Sequence, residues 1–168
     1  DLCRKLRMIR DHGMAQKYHH DLIGHNYRLE GLQGAILDVK LKHLDVWTTV
    51  RRINADIYRR LLSDCSEVNT PAEMPDARHV YHLFVIRTKE RDELQKYLGE
   101  HEIGTGIHYP IPCHLQKAYA FLSYSAGDMP TTEEYADDIL SLPMSEQLKE
   151  HAIEHVCSMI KEFFANHT

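Results

Sequence analysis

The sequence predicts an α/β chain in three parts: a short N-terminal stretch, one long connecting helix and a compact C-terminal α+β domain. Two observations carry this. Apolar residues recur at helical spacing between residues 29 and 62, and beyond residue 78 the segments follow the order β-α-β-α-α-β-α. No internal repeat appears.

Residues 1–10 form an amphipathic helix with Leu2, Leu6 and Ile9 on one face, broken by Asp11, His12 and Gly13. Residues 14–25 read as irregular. Gly24 then allows a tight turn, and Asn26 is placed to cap the long helix, whose apolar positions include Leu29, Leu32, Ile36, Val39, Leu44, Trp47, Ile53, Ile57 and Leu61. Some thirty residues at 1.5 Å each would span about 50 Å, more than one small domain needs. The apolar spacing drifts too much for heptads, so a helix linking two domains is expected rather than a coiled coil. Gly31 and Gly34 each weaken a helix by about 1 kcal/mol relative to alanine, and close approach to another backbone is their expected compensation. After a proline-containing loop at 64–78 comes a buried strand at 80–87. Thr88 caps a helix to about residue 100, with Leu94, Tyr97 and Leu98 inward. A short strand at 107–109 stops at Pro110 and Pro112, and a helix follows at 114–121. Thr131 and Glu134 form a capping box for a helix to about Asp138. A strand at 139–143 and a last helix presenting Ile153, Val156, Ile160 and Phe163 complete the domain.

A net charge of −5 without any basic run argues against general nucleic-acid binding. No apolar run reaches the roughly 20 residues that span a bilayer, and the first residues are not a signal peptide, so a cytoplasmic location is expected. Cys3, Cys65, Cys113 and Cys157 lie far apart and form no CxxC, so they read as free thiols. Of 13 histidines, His12, His19, His20 and His25 crowd one region. They lack an HExxH, a Cys/His pairing at zinc spacing or a carboxylate cluster, and no metal site is assigned.

The sharpest functional hint is the stretch DLIGHNYRLEGLQGAIL at 21–37. If a helix starts at Asn26, its free N–H groups, its partial positive charge and Arg28 suit a phosphate. On the local pattern alone this does not go beyond a capped helix with a solvated arginine. His108, likewise, reads alone as a loop histidine packed against Tyr109.

Six segments in order change that weighing: RKLRMIRDHG at 4–13, GHNYRLEGLQGAIL at 24–37, KLKHLD at 40–45, VYHLFVIRT at 80–88, GIHYPIPCHLQKAY at 106–119 and LSLPMSEQL at 140–148. Together they resemble the DegT/DnrJ/EryC1/StrS family of pyridoxal-phosphate-dependent nucleotide-sugar aminotransferases. The resemblance implies part of a type I aminotransferase fold. Residues 1–28 would be the tail of the large domain that binds pyridoxal 5'-phosphate, 29–64 the interdomain helix and 65–168 the small domain. It implies an amino group moved, with glutamate as donor, to a keto-sugar nucleotide, in the making of polysaccharide or antibiotic sugars. It implies a homodimer with a shared active site. By motif, Asn26 would reach the cofactor phosphate of the neighbouring subunit, Arg28 the sugar-nucleotide side, and His108 and Tyr109 a loop over the substrate stiffened by Pro110 and Pro112. His12, Tyr18 and His20 fall in a segment the family places near the interface and cofactor. Gln33-Gly34-Ala35 departs mildly from the small residues usual there. None of the nine lysines sits in the family's lysine motif, so the chain is expected to be a piece of a longer protein and inactive alone, with no catalytic residue of its own. Two alternatives stay open: a sugar dehydratase of the same fold, with another base in place of the lysine, and a non-catalytic binding module.

Overall fold

A computed structural model describes residues 1–167, which divide into two compact units, one from Asp1 to Leu44 and one from Asp45 onward. The boundary falls inside the stretch read as one helix. Two helices are found instead: α2 at Gly31–Leu41 and α3 at Leu44–Leu61. Lys42 and His43 form a turn between them, with the His43 N–H donating to the Lys40 carbonyl at 3.0 Å. Neither residue is a helix breaker, so an unbroken apolar period conceals the interruption.

In the first unit, helix α1 (Leu2–Arg10) runs as expected, but its buried residue is Met8, while Leu2 and Leu6 are exposed. The stretch read as irregular holds a small antiparallel hairpin, β1 (Met14–Gln16) with β2 (His19–His20). Tyr18 turns that hairpin at a positive φ of 69°. The chain then returns beside the end of α1, where the His12 N–H donates to the His25 carbonyl (2.9 Å), His25 N–H to Ile9 (2.8 Å) and Tyr27 N–H to Arg10 (2.9 Å). This pairing requires Gly13 and Gly24 to touch backbone to backbone. A Cβ on Gly13 would lie 1.7 Å from the Leu22 carbonyl oxygen, and one on Gly24 would lie 2.0 Å from the Gly13 nitrogen. Gly24 therefore serves close approach rather than the tight turn expected of it.

Helix α2 begins at Glu30, not Asn26. The Glu30 N–H donates to Gln33 Oε1 at 3.0 Å in a capping box. Among its described residues α2 buries none, and Leu32 and Ile36 stand 76% and 52% exposed. A Cβ on Gly31 would meet nothing within 4 Å and one on Gly34 only the Leu29 side chain at 3.9 Å, so the expected close backbone partner of these glycines is not found among the described residues.

The second unit packs helices on an antiparallel ribbon of β3 (Phe84–Arg87) and β4 (Ile139–Leu142). Single bridges extend the ribbon on both sides, from Asn69 to Arg87 and from Gly106 to Ser141. The register pairs Phe84 with Leu142 and Ile86 with Leu140, all four fully or almost fully buried. Their face meets Leu94 and Leu98 of α4 (Arg91–Glu100), Ala55 and Tyr58 of α3, and Ile153, Ile160 and Phe163 of α6 (Glu150–His167). Burying each large apolar side chain is worth about 1.5–3 kcal/mol, so this seam sets the fold of the unit. Polar groups of α3 tie it to the chain after β4: Tyr58 OH donates to the Pro143 carbonyl at 2.9 Å and Asn54 Nδ2 to the Ser145 carbonyl at 3.0 Å.

Four expectations need correction here. The strand expected at 80–87 begins only at Phe84, since Tyr81 takes a positive φ of 47°. No strand forms at 107–109, where only Gly106 joins the ribbon. The helix expected at 114–121 is two short 3₁₀ turns, Cys113–Leu115 and Lys117–Leu122. Helix α5 (Pro130–Asp138) starts with Pro130 in its first turn rather than a Thr131–Glu134 box. Glu133 binds the loop in front instead, accepting from the Gly127 N–H at 2.8 Å, and Glu134 faces Arg87 and Lys89.

Candidate functional site

Asp11 and Asn26 face each other in an isolated antiparallel bridge between the end of α1 and the returning chain. Residues 26–30 are not helical: Asn26 sits in the bridge and Glu30 has an extended backbone (φ −71°, ψ 153°). In this segment Arg28 Nε donates to Asn26 Oδ1 at 3.0 Å. Its guanidinium also faces Asp11, NH1 to Oδ1 at 3.6 Å, and Glu30, Nε to Oε1 at 3.8 Å. An arginine only donates, so the atom it meets is the amide oxygen, and the Asn26 amide is turned with its NH₂ outward. Among the described residues no side chain or carbonyl of this chain takes that NH₂.

Asn26, Tyr27 and Arg28 line an open cleft of about 620 Å³ together with Leu29, Gln33 and Ile36 of the α2 entry. Apolar walls with two convergent donor groups suit an oxyanion attached to an apolar body. The donor set fits a phosphate without a helix N-terminus, because Asn26 precedes the α2 cap by four residues. The side chains of Arg28 and Asp11 are 48% and 37% exposed, so their attraction is worth about 0–1 kcal/mol. The pair contributes orientation more than stability.

His12 and His20 come together beside this bridge, with His20 Nδ1 2.8 Å from the His12 carbonyl. Tyr18 stands 77% exposed at the hairpin tip, with Lys17 Nζ 5.1 Å from its ring centre.

In the second unit, His108 and Tyr109 sit on the exposed loop after Gly106, their rings edge to face at 5.5 Å. The expected packing of the two rings is present, but His108 has a second anchor that the sequence did not disclose. Its Nδ1 lies 2.9 Å from Ser141 Oγ. The β3–β4 register explains this: Leu140 and Leu142 point into the core, so Ser141, paired with Val85, points to the opposite face. Gly106 completes the seat, since a Cβ there would come within 2.9 Å of His108 Cε1. With Nδ1 held, Nε2 is the remaining ring nitrogen of this exposed side chain, and the neighbouring Tyr109 is 74% exposed. Pro110 and Pro112 follow at once and hold the loop.

Asp11 and Ser141 were missed in the sequence. Asp11 read as part of a helix stop, and Ser141 as one residue of a short strand whose register the sequence does not give.

Among the described residues no three His, Cys, Asp or Glu side chains are grouped to hold a metal ion, and no helix is long and apolar enough to cross a membrane.

Comparison with known proteins follows the same outline. The profile of the DegT/DnrJ/EryC1/StrS aminotransferase family matches residues 1–161. A pleiotropic regulatory protein of Geobacillus stearothermophilus is 45% identical over 98% of this chain and 45% of its own length. The dTDP-3-amino-3,4,6-trideoxy-alpha-D-glucose transaminase of Streptomyces venezuelae is 38% identical over 97% of this chain and 43% of that protein. Among solved structures, S. venezuelae DesV in complex with a ketimine intermediate superposes with a TM-score of 0.89 at 38% identity, covering 96% of this chain and 44% of that one. A DegT DnrJ EryC1 StrS aminotransferase from Brucella abortus gives 0.85 at 32% identity over 96% and 43%. The chain thus spans somewhat under half the length of the relatives it matches. From Asp1 to Lys161, it belongs to the DegT/DnrJ/EryC1/StrS aminotransferase family.

Proposed function

We propose that this chain is the C-terminal portion of a cytoplasmic, pyridoxal-phosphate-dependent transaminase that moves an amino group, with glutamate as donor, to a keto-sugar nucleotide. In this reading residues 1–28 end the cofactor-binding domain, 29–64 connect it, and 65–168 form the small domain that covers the substrate. The cofactor supplies an electron sink for the carbon that exchanges its amine. What this chain contributes is anchoring and orientation. The outward NH₂ of Asn26 donates to the cofactor phosphate of a neighbouring subunit, which matters because phosphate contacts hold the cofactor whenever it is not covalently attached. Arg28, fixed at its Nε edge, keeps its remaining N–H groups for the diphosphate or sugar hydroxyls of the substrate. His108 Nε2 and the Tyr109 hydroxyl offer hydrogen bonds to the sugar. His12, Tyr18 and His20 shape the rim beside Asn26. A homodimer with a shared site is supported by the bare apolar face of α2, which a second subunit would cover.

The observation that carries the reading is the Asn26 amide, its oxygen bound by Arg28, at the edge of a largely apolar cleft that both residues line. The names of relatives such as a UDP-N-acetyl-3-dehydro-alpha-D-glucosamine 3-aminotranferase and a GDP-perosamine synthase support the substrate class. The test uses the whole protein. Pyridoxamine phosphate binding is followed by fluorescence, and amine transfer from glutamate to a 3- or 4-keto-sugar nucleotide by mass spectrometry. Asn26→Ala is expected to weaken cofactor binding about 10- to 150-fold, the worth of one charge-assisted hydrogen bond. Absence of transfer with every keto-sugar nucleotide, alongside unchanged cofactor affinity in the variant, would refute the proposal.

A further inference from the structure

We infer that Asp11 is a positioning residue for the cofactor phosphate, acting through Arg28 on the Asn26 amide. The inference rests on the reading that Asn26 meets that phosphate. An asparagine side chain at an exposed position is free to rotate and can present either its oxygen or its NH₂. Only the NH₂ attracts an anion; the oxygen repels it. Something must therefore fix the amide, and the structure shows a relay that does so. Asp11 is locked opposite Asn26 by the backbone bridge, so the distance between their side chains is set by the main chain. Arg28 lies between them, reaching Asn26 Oδ1 with Nε at 3.0 Å and Asp11 Oδ1 with NH1 at 3.6 Å.

The Asp11 end is poised rather than closed. Asp11 Oδ1 is shielded from solvent and has no hydrogen-bond partner among the described residues. A carboxylate oxygen in that state favours the approach of a cation, and Arg28 NH1 is the cation facing it. The pull of Asp11 turns the guanidinium so that Nε stays aimed at Asn26. It also offsets the arginine charge at that edge, leaving the phosphate to the amide and the far guanidinium nitrogen to the substrate. Glu30, at 3.8 Å from Nε, gives Arg28 an alternative partner. Without Asp11 the guanidinium swings towards Glu30, and the amide oxygen is released.

The test is a double-mutant cycle in the whole protein, read by the dissociation constant of pyridoxamine phosphate, with thermal melting as a check on folding. Asp11→Asn is expected to weaken binding about 3- to 10-fold without lowering Tm, and to have no further effect once Asn26 is alanine. Arg28→Lys, which keeps the charge but has no Nε–H to donate, is expected to show the same dependence on Asn26; it serves where Asp11→Asn folds poorly. A structural role would not produce this dependence, because its cost would persist in the Asn26→Ala background. If Asn26→Ala weakens binding but Asp11→Asn and Arg28→Lys leave it unchanged, or add to it in full, the relay is overturned while the Asn26 contact stands. If Asn26→Ala itself leaves binding unchanged, the underlying reading fails and the relay with it.

Discussion

Gly24→Ala tests the geometry on which the first unit depends. Gly24 has no positive φ, so alanine introduces no backbone strain and the whole cost is steric. The new Cβ would lie 2.0 Å from the Gly13 nitrogen, 2.6 Å from the His12 carbonyl carbon and 2.8 Å from the Gly13 Cα, against roughly 3.5 Å for an ordinary contact. All three are backbone atoms and cannot rotate aside. The end of α1 and the returning chain must separate, which breaks their joint hydrogen bonds: His12 to His25, His25 to Ile9, Tyr27 to Arg10, and Asp21 N–H to the Gly13 carbonyl. At about 0.5–1.5 kcal/mol each, losing most of them costs about 2–4 kcal/mol of local stability. Hydrogen–deuterium exchange of the whole protein is the assay. Peptides covering 8–27 should exchange roughly 30- to 700-fold faster, while peptides covering 84–98 stay unchanged as an internal reference. Unaltered protection of 8–27 would show that the two glycines do not touch, and the Asp11–Asn26 register would lose its support.

Three further predictions concern the second unit. Ser141→Ala frees the His108 ring from its Nδ1 anchor, and KM for the sugar nucleotide should rise about 2- to 10-fold with kcat within 2-fold; steady-state kinetics decides, and an unmoved KM speaks against His108 as a substrate group. Tyr58→Phe strands the half-buried Pro143 carbonyl and should lower stability by about 1–2 kcal/mol in a denaturant titration, with no loss if that carbonyl finds water. Glu73 is held down to about 2 by the Arg52 guanidinium and then by the His79 N–H. Its folded value lies below the unfolded one, so its contribution is complete above about pH 4.5 and fades as the pH falls towards 2. Denaturant midpoints at pH 5, 4 and 3 should fall less steeply in Glu73→Gln than in the parent, and parallel slopes would discount the Arg52 pairing.

How much of the fold was legible followed the strength of each periodic signal. Helix α6 was readable because Ile153, Val156, Ile160 and Phe163 repeat over about three turns and all are buried. The same holds for Leu94 and Leu98 of α4. The break at Lys42–His43 was invisible, since a two-residue turn without glycine or proline leaves the apolar spacing intact. Strand β3 looked four residues too long because VYHLFVIR is mostly apolar from its first residue, while Tyr81 is buried from a left-handed backbone with contacts to Arg59 and His79. Tertiary contacts of that kind have no local signature.

Asn26 and Arg28 stood out in the sequence for a reason that the structure replaces. They were picked out as the first residues of a helix, yet in a helix residues two apart point in widely different directions and cannot pair. Had the helix begun at Asn26, Arg28 would stand off to one side and the amide would be free to turn. Because the segment is not helical and the cap is delayed to Glu30, the same spacing brings Asn26 and Glu30 within reach of the Arg28 guanidinium. The identity of the residues therefore survives the change of local structure, but the physics moves from a helix dipole to a side-chain relay. A dipole is indifferent to Asp11, whereas a relay fails without it. Cofactor affinity in Asp11→Asn separates the two accounts even though both begin from the same asparagine.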